Sequence, residues 1–232
     1  MKAQWMTGMA GLAVLVMSGS VAAQQTVFAH AEIGMTSLHE NNVPVDESSE
    51  AQVSSDVDED VWYGRFAAQV PMRKGAAEFG WEAGAGLGWT SPDVAYAVRV
   101  DGGTTARIAV KSDLVIFQTF MGLYGALNFG PHVRLSASAG PAFVYGSQSS
   151  DPVEQTYTIN GQPVTVKVGG NDTDAAVVGY AHANLHVEVS KGVWVGAGAG
   201  MMSGDLDFSN TIGEIPLDRT VFSLSFGAPM DI

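Results

Sequence analysis

The sequence predicts an all-β fold, an eight-stranded antiparallel transmembrane β-barrel, and three observations carry that prediction. Apolar residues alternate with small or polar residues along most of the chain, which is the two-residue period of a β-strand. The connections between these segments are alternately short and long, as in barrels whose strands cross a membrane. Charged residues make up only 15% of the chain and 28 residues are glycine, a combination that is unusual for a soluble enzyme.

Residues 1–23 predict a secretory signal peptide, so the barrel is expected to occupy residues 24–232. Lys2 precedes an apolar run over residues 9–17, and small residues follow over 18–23. The run is shorter than the roughly 20 residues that a membrane-spanning helix needs. Because the chain contains no cysteine, a lipoprotein anchor and disulfides are excluded, which favours a large closed architecture over a small disulfide-bonded one.

The segment 79–89 illustrates the alternation that predicts each strand. Its aromatic and aliphatic residues share one face, and its glycines share the other with Glu82 and with Glu78 just before the segment. No helix follows, which excludes a dinucleotide-binding turn. Similar alternation is found in residues 61–70, 133–145, 181–190, 193–201 and 222–228, and less regularly in 26–38 and 113–128. The apolar face is therefore expected to meet lipid, and the small face to line a crowded lumen. The glycines expected to point into the lumen are Gly84, Gly86, Gly196, Gly198 and Gly200.

The connections predict which ends of the strands are periplasmic and which are external. The short ones, at 71–75, 128–132 and 190–192, are expected to be periplasmic turns. The long ones are expected to be external loops at about 39–60, 90–113, 148–174 and 208–220.

The number of strands depends on residues 94–111, which predict a hairpin. If this hairpin is the protruding tip of the third and fourth strands, the barrel has eight strands. If its two arms cross the membrane, the barrel has ten. The apolar residues change from odd to even positions between 89 and 94 and return between 110 and 115. Either bulges at the membrane rim or two extra turns would explain this change. A second hairpin is expected to project from the third long loop, with Asn160 and Gly161 at its turn.

Tryptophans near the predicted strand ends indicate aromatic girdles at the two membrane interfaces, and aromatic core packing is the alternative. From Trp81 to Trp89 a strand extends about 26 Å, or roughly 20 Å in height at a tilt of about 40°, which is near the apolar band of a barrel. The predicted girdle consists of Trp62, Trp81, Trp89 and Trp194.

The chain resembles the small outer-membrane β-barrel families of Gram-negative bacteria, of the OmpX, OmpW and OmpA-barrel type. The likeness is carried by "FMGLYGALNFGPHVRLSASAGPAFVYG" (120–146), "LHVEVSKGVWVGAGAGM" (185–201) and "TVFSLSFGAPM" (220–230). It covers nearly the whole mature chain as a pattern. The resemblance implies export to the outer membrane, and it implies membrane lipid, lipopolysaccharide and the barrel-insertion machinery as partners.

Several ionisable residues fall on the predicted inner face, and two interpretations of them remain open. Charges in a narrow lumen must be paired or hydrated, so they predict either a structural salt-bridge network or a polar pore or site. Same-face residues on a strand are about 7 Å apart, so His182 and His186 do not chelate one ion without a third element, and no metal or cofactor is predicted. The predicted network consists of Arg65, Glu78, Glu82, Arg134, His182, His186 and Glu188.

Charge and motif content restrict the function of the mature chain. Residues 24–232 contain 24 acidic and 10 basic side chains, a formal charge of −14, which excludes nucleic acid as a partner. The first long connection is acidic with no basic residue, but "DVDED" (56–60) lacks the glycine of a calcium loop, so a solvated acidic loop is expected. His30 and His39 have no specific Ser/His/acid spacing around them. The sequence therefore predicts a non-catalytic barrel with a structural or surface-interaction role; the alternatives are a narrow pore for small solutes and a lipid A-modifying enzyme.

Overall fold

The computed structural model describes residues 26–47, 51–100, 104–159, 162–208 and 211–232. Their secondary structure consists of strands β1 Thr26–Glu47, β2 Ala51–Arg73, β3 Ala77–Thr90, β4 Asp93–Val100, β5 Thr104–Phe129, β6 Val133–Ser150, β7 Val153–Ile159, β8 Gln162–Val168, β9 Asn171–Ser190, β10 Val193–Ser203, β11 Asp205–Phe208, β12 Gly213–Pro216 and β13 Thr220–Asp231. Within these ranges no helix is long and apolar enough to cross a membrane. The predicted signal peptide and the predicted turn at Asn160 and Gly161 lie outside the described residues.

Eight strands form a closed antiparallel ring, in the order β1, β2, β3, β5, β6, β9, β10, β13. The ring closes where β1 pairs with β13, from Thr26 opposite Asp231 to Met35 opposite Phe222. The other edge of β1 pairs with β2. The prediction of an eight-stranded transmembrane β-barrel is confirmed.

The hairpin over residues 94–111 is the tip of the barrel wall, as the eight-strand interpretation predicts. β3 ends at Thr90, and β4 then takes its place between β5 and the first residues of β2. Asp93 pairs with Lys111 on one side, and Ala95 pairs with Asp56 on the other. The hairpin therefore lengthens the wall beyond the barrel without adding a crossing.

The two faces of each barrel strand follow the alternation in the sequence. In β3, the Phe79 and Trp81 side chains point outward and are 47% and 48% exposed, whereas Glu82, which follows directly, is 1% exposed. The same outward exposure of large apolar residues recurs around the ring, at Ile33, Phe66, Leu123, Leu135, Phe143, Leu185, Phe222, Leu224 and Phe226. A wall that exposes this much apolar surface faces lipid.

At one end, the described strands continue beyond this lipid-facing band. We call the four stretches of sequence that contain these continuations, residues 36–60, 91–113, 147–176 and 203–220, the external extension. β1 and β2 remain paired as far as Glu47 and Gln52, so the first long connection is mostly a β-ladder, where the sequence predicted a loop. The third connection contains the β7–β8 hairpin and the fourth contains the β11–β12 hairpin. The four long connections are therefore built largely of paired strands.

The change in apolar positions around residues 89–115 has a different cause from the expected rim bulges. In β5, buried side chains stay on even positions from Ile108 and Val110 through Leu114 to Phe120 and Tyr124. The pairing of β5 with β3, β4 and β6 keeps one register throughout. The strand therefore keeps its orientation while the chemistry of its two faces exchanges. From residue 114 onward the outer face is apolar and meets lipid, whereas in residues 104–113, within the external extension, the outer face is polar and meets water.

Candidate functional site in the barrel lumen

The half of the lumen that lies within the lipid-facing band is filled by a connected set of side chains, which we call the polar layer. Its centre is Glu82, which accepts hydrogen bonds from Arg65 Nη2 at 2.5 Å, from Gln69 Nε2 at 2.8 Å and from Ser138 Oγ at 2.8 Å. The four residues come from β2, β3 and β6, and each lies on the inward face of its strand. Three strands are thereby joined across the interior.

Arg134 extends the polar layer toward the turns at the end opposite the external extension. Its Nη2 atom donates to Gln69 Oε1 at 2.8 Å and to Glu78 Oε1 at 2.9 Å. The Tyr124 hydroxyl donates to the same Glu78 oxygen at 2.7 Å. Because Gln69 bonds both Glu82 and Arg134, these contacts are continuous with those of Arg65, and the predicted residues Arg65, Glu78, Glu82 and Arg134 lie in one network.

Glu32 is the acidic centre of the layer on the other side of the lumen, and the sequence analysis missed it. One carboxylate oxygen lies 3.0 Å from His30 Nε2, the other lies 3.0 Å from His182 Nε2, and Arg65 Nη1 lies at 3.7 Å. Asn184 Nδ2 also donates to Glu32, at 3.0 Å. The signal was present in residues 30–35, where His, Glu and Gly alternate with Ala, Ile and Met, but the irregular surroundings of this segment hid it.

His186 and Trp194 fill the interior next to Phe28. His186 Nε2 lies 3.0 Å from the Ser225 hydroxyl, and its ring contacts the Phe28 ring at 5.2 Å between centroids. The Phe28 ring meets the Trp194 ring edge-on at 5.8 Å. The assignment of Trp194 to the outer girdle is therefore wrong, because Trp194 has the same inward parity on β10 as Gly196.

The other predicted girdle tryptophans point outward. Trp62 and Trp89 pair side by side on β2 and β3 near the external extension, and are 48% and 42% exposed. Trp81 is eight residues further along β3, toward the short turns. The three side chains thus lie at two levels of the outer wall.

Glu188 does not join the polar layer. Its carboxylate lies at the rim, where one oxygen is 2.8 Å from His132 Nδ1 and the other accepts a hydrogen bond from the Gly192 backbone N–H at 2.8 Å. These contacts tie two neighbouring turns together. Glu188 was predicted as a lumen residue from its parity, which is correct, but its position near the end of β9 leaves it outside the network.

The inward glycines provide the space that the polar layer occupies, as predicted. A side chain added at Gly198 meets the Asn184 side chain, Ser223 Oγ at 2.9 Å and His182 Cε1 at 3.0 Å. A side chain added at Gly86 meets Tyr63 Oη at 2.9 Å. The long polar side chains of the lumen therefore fit only because the wall that they face carries glycine, which has no side chain, at these positions.

The interior of the external extension is filled instead by an apolar layer. The β11–β12 hairpin folds inward, so that Leu206 and Phe208 approach Gly146 on β6. The hairpin is held by a hydrogen bond from the Asp207 backbone N–H to Asp174 Oδ2 at 2.8 Å. The layer consists of Val61, Val94, Tyr96, Ile108, Val110, Leu114, Val144, Val166, Val168, Val178, Leu206, Phe208, Ile212, Ile215 and Leu217 with their buried neighbours. Burial of the Tyr96 side chain in this layer raises the pKa of its hydroxyl to about 12.

A small cavity separates the two layers. Its volume is about 30 Å³, which holds one or two water molecules. The side chains of Arg65, Gln118, Tyr180 and His182 are among its lining residues, and the Gln118 amide and the Tyr63 hydroxyl form a hydrogen bond beside it. Within the described ranges no group of three or more histidine or carboxylate side chains is arranged to hold a metal ion.

Comparison with known proteins identifies similar folds and no closely related sequence. No protein-family model and no curated protein matches the sequence. Ail, the attachment invasion locus protein of Yersinia pestis, solved with the heparin analogue sucrose octasulfate, is 9% identical over 91% of this chain and 100% of its own, with a TM-score of 0.41. Neisserial surface protein A is 9% identical over 89% and 97%, with a TM-score of 0.42. The outer membrane protease OmpT of Escherichia coli is 8% identical over 92% and 98%, with a TM-score of 0.41.

These neighbours are small outer-membrane β-barrels, the class that the sequence resembles. At such low identity the likeness concerns the fold and not the activity. The eight-stranded closure of this chain follows from its own strand pairing, from β1 through to β13.

Proposed function

We propose that the chain is a non-enzymatic integral outer-membrane β-barrel protein whose lumen is closed, and whose external extension serves a structural or surface-interaction role. The observation that carries the proposal is that two layers of opposite chemistry fill the interior in series. The polar layer joins the walls through Glu82 and Glu32, and the β11–β12 hairpin fills the external mouth. The cavity between the layers has a volume of about 30 Å³.

The external extension supports a role at the cell surface because it is built as a folded unit. Its inner face buries Val94, Tyr96, Ile108 and Val110, which are each at most 5% exposed. Burial of such side chains stabilises a fixed structure in water, with about 1.5–3 kcal/mol for each fully buried aliphatic side chain. A solvated loop between barrel strands has no need of such a core.

The absence of catalysis is proposed from the surroundings of the one histidine–serine contact described above. His186 Nε2 and Ser225 Oγ lie 3.0 Å apart, but the two residues are 0% and 1% exposed. Among the described residues, His186 Nδ1 has no hydrogen-bond partner, so no carboxylate orients the ring as a general base requires. We interpret this contact as packing within the lumen.

Fractionation and conductance test the proposal together. The mature protein is expected in the detergent-soluble outer-membrane fraction, with gel migration that changes on heating. Inserted into planar bilayers, it is expected to produce no ionic steps at neutral pH. Recovery in the soluble periplasmic fraction would exclude a membrane barrel, and regular conductance steps from the purified protein would show a pore for small solutes instead.

A further inference from the structure

The charged residues of the mature chain are divided unevenly between the two ends of the barrel. The external extension contains 19 acidic and five basic residues, which accounts for the whole net charge of −14. The other residues of the mature chain contain five acidic and five basic residues. Three of those basic residues, Arg73, Lys74 and Lys191, lie at the short turns opposite the extension. We call these three residues the cationic rim.

The cationic rim differs from the two arginines of the lumen in having no partner. Within the part of the chain that the structure describes, none of its three side chains makes an ion pair or a side-chain hydrogen bond, and all three residues are exposed. By contrast, Arg65 and Arg134 are bound by carboxylates in the lumen. At that end Glu188 is bound by His132 and the Gly192 N–H, and the exposed Asp231 lies at the end of β13, two strands away from β2, which carries Arg73.

The rim lies directly beside the lipid-facing band. Arg73 follows Met72, which is 57% exposed, and Lys191 lies between Val189 and Val193, which are 60% and 49% exposed. Arginine and lysine at such positions lay their aliphatic stems along apolar surface and hold their charged groups at the level of the lipid headgroups. Their position therefore fits a headgroup that carries negative charge.

We propose that the cationic rim binds the headgroups of anionic phospholipids in the periplasmic leaflet. The assignment of the leaflet rests on the proposed outer-membrane location. Attraction of a cation to an anionic lipid surface acts within a Debye length, about 8–10 Å in physiological salt, so the rim acts on lipids that contact its own end of the wall. The acidic extension repels the same headgroups, so the preference is confined to one end of the barrel.

Tryptophan quenching by brominated lipids tests this at each end of one molecule. Trp81 is the reporter for the rim, because it lies two residues from Phe79, which pairs with Arg73. Trp89 is the reporter for the external end. Two proteins, each with one tryptophan kept and the others replaced by phenylalanine, are reconstituted in phosphatidylcholine containing brominated phosphatidylglycerol or brominated phosphatidylcholine. Because one neighbouring cation enriches an anionic lipid by about fivefold, Trp81 is expected to show a preference of that size and Trp89 none.

The matched variants each remove three positive charges. Arg73→Gln with Lys74→Gln and Lys191→Gln is expected to abolish the preference at Trp81. Arg107→Gln with Lys111→Gln and Lys167→Gln, in the extension, is expected to leave it unchanged. High salt applied to the unmodified rim is expected to reduce the preference without any substitution. Equal quenching by both lipids at Trp81, or a preference that survives both salt and the rim variant, overturns the inference. Inserted, heat-modifiable protein with equal quenching leaves the proposed function standing, whereas protein that does not insert contradicts the proposed function itself.

Discussion

The two halves of the interior differ in chemistry although the same strands build both. Along β5, Gln118 and Tyr124 face the lumen within the lipid-facing band, whereas Ile108 and Val110 face the interior of the external extension. The outer face changes in the opposite sense, from Met121 and other apolar residues to charged residues. A strand has two faces, so a wall surrounded by lipid places its apolar residues outside, and a wall surrounded by water places them inside.

The comparison shows that a closed barrel is stabilised differently on each side of the membrane interface. Within the band, the interior depends on charge pairs and hydrogen bonds whose partners must all be present. Above the band, the interior depends on apolar burial, which is less directional and tolerates local rearrangement. Substitutions in the two layers are therefore expected to differ in size and in how far their effects spread.

The largest effect is expected in the polar layer, from Glu82→Ala. The substitution leaves Arg65 without its 2.5 Å partner and removes the acceptor of Gln69 and Ser138. Breaking a buried ion pair by removing one member costs about 3–5 kcal/mol. Urea unfolding in lipid vesicles, followed by heat-modifiable migration, measures the loss. Glu188→Ala at the rim is the control and is expected to lower the unfolding midpoint far less, because exposed ion pairs contribute little to stability. Equal effects of the two variants would contradict the polar layer as the source of barrel stability.

A smaller and more local effect is expected in the apolar layer, from Phe208→Ala. The Phe208 side chain is fully buried on the β11–β12 hairpin, and truncation of a buried phenylalanine costs about 3 kcal/mol. Because the hairpin is a separate two-stranded sheet, the expected result is proteolysis between residues 203 and 220 while the barrel keeps its heat-modifiable migration. Loss of that migration together with the hairpin would show that the two layers unfold as one unit.

The division between inside and outside is tested by neighbouring residues on β10. Gly198→Leu places a side chain against Asn184, His182 and Ser223, and overpacking of this kind costs about 1–3 kcal/mol. Ala197→Leu adds the same atoms on the exposed outer face. Refolding yield into detergent is expected to fall for the first variant and not for the second. Equal yields for both would reject the assignment of the β10 faces.

The smallest effect is expected from Tyr96→Phe in the external extension. Among the described residues the buried Tyr96 hydroxyl has no hydrogen-bond partner. Removing the hydroxyl eliminates an unpaired polar group and leaves the packing of the ring unchanged. The free energy of unfolding of the extension is therefore expected to rise by about 1 kcal/mol or to stay the same. Protease resistance of the external segments measures this. A clear loss of resistance would indicate that a buried water satisfies the hydroxyl.

The lumen shows how far a one-dimensional pattern leads. Parity alone placed Arg65, Glu82 and Arg134 on the inner face, because alternation is a property of each strand taken separately. Their bonding to one another depends on the register between β2, β3 and β6, which the sequence does not state. Glu32 was missed because the alternation around it is irregular, and its contact with His182 on β9, about 150 residues away, also depends on the register.

Trp194 and Glu188 show a second limit, which concerns position along the strand. Trp194 was grouped with the girdle because tryptophan is enriched at membrane interfaces, although its parity on β10 is inward. Glu188 has inward parity, but it lies at the end of the barrel, where the turn residues His132 and Gly192 bind its carboxylate outside the lumen. Residue type and parity give a face, whereas depth in the barrel depends on where each strand ends.

The sequence by itself determined the class of fold and the face of most side chains, and it restricted the number of crossings to eight or ten. It did so because a strand with one wall in lipid has to alternate, and because strands that cross a membrane have to be joined by turns at alternate ends. Only the tertiary structure decided that the outer and inner faces exchange chemistry where β5 enters the external extension, that the β11–β12 hairpin fills the external mouth, and that Glu32 links both sides of the polar layer. These features depend on pairing between distant strands and on the depth of each residue in the bilayer, and neither quantity is encoded in any local stretch of the chain.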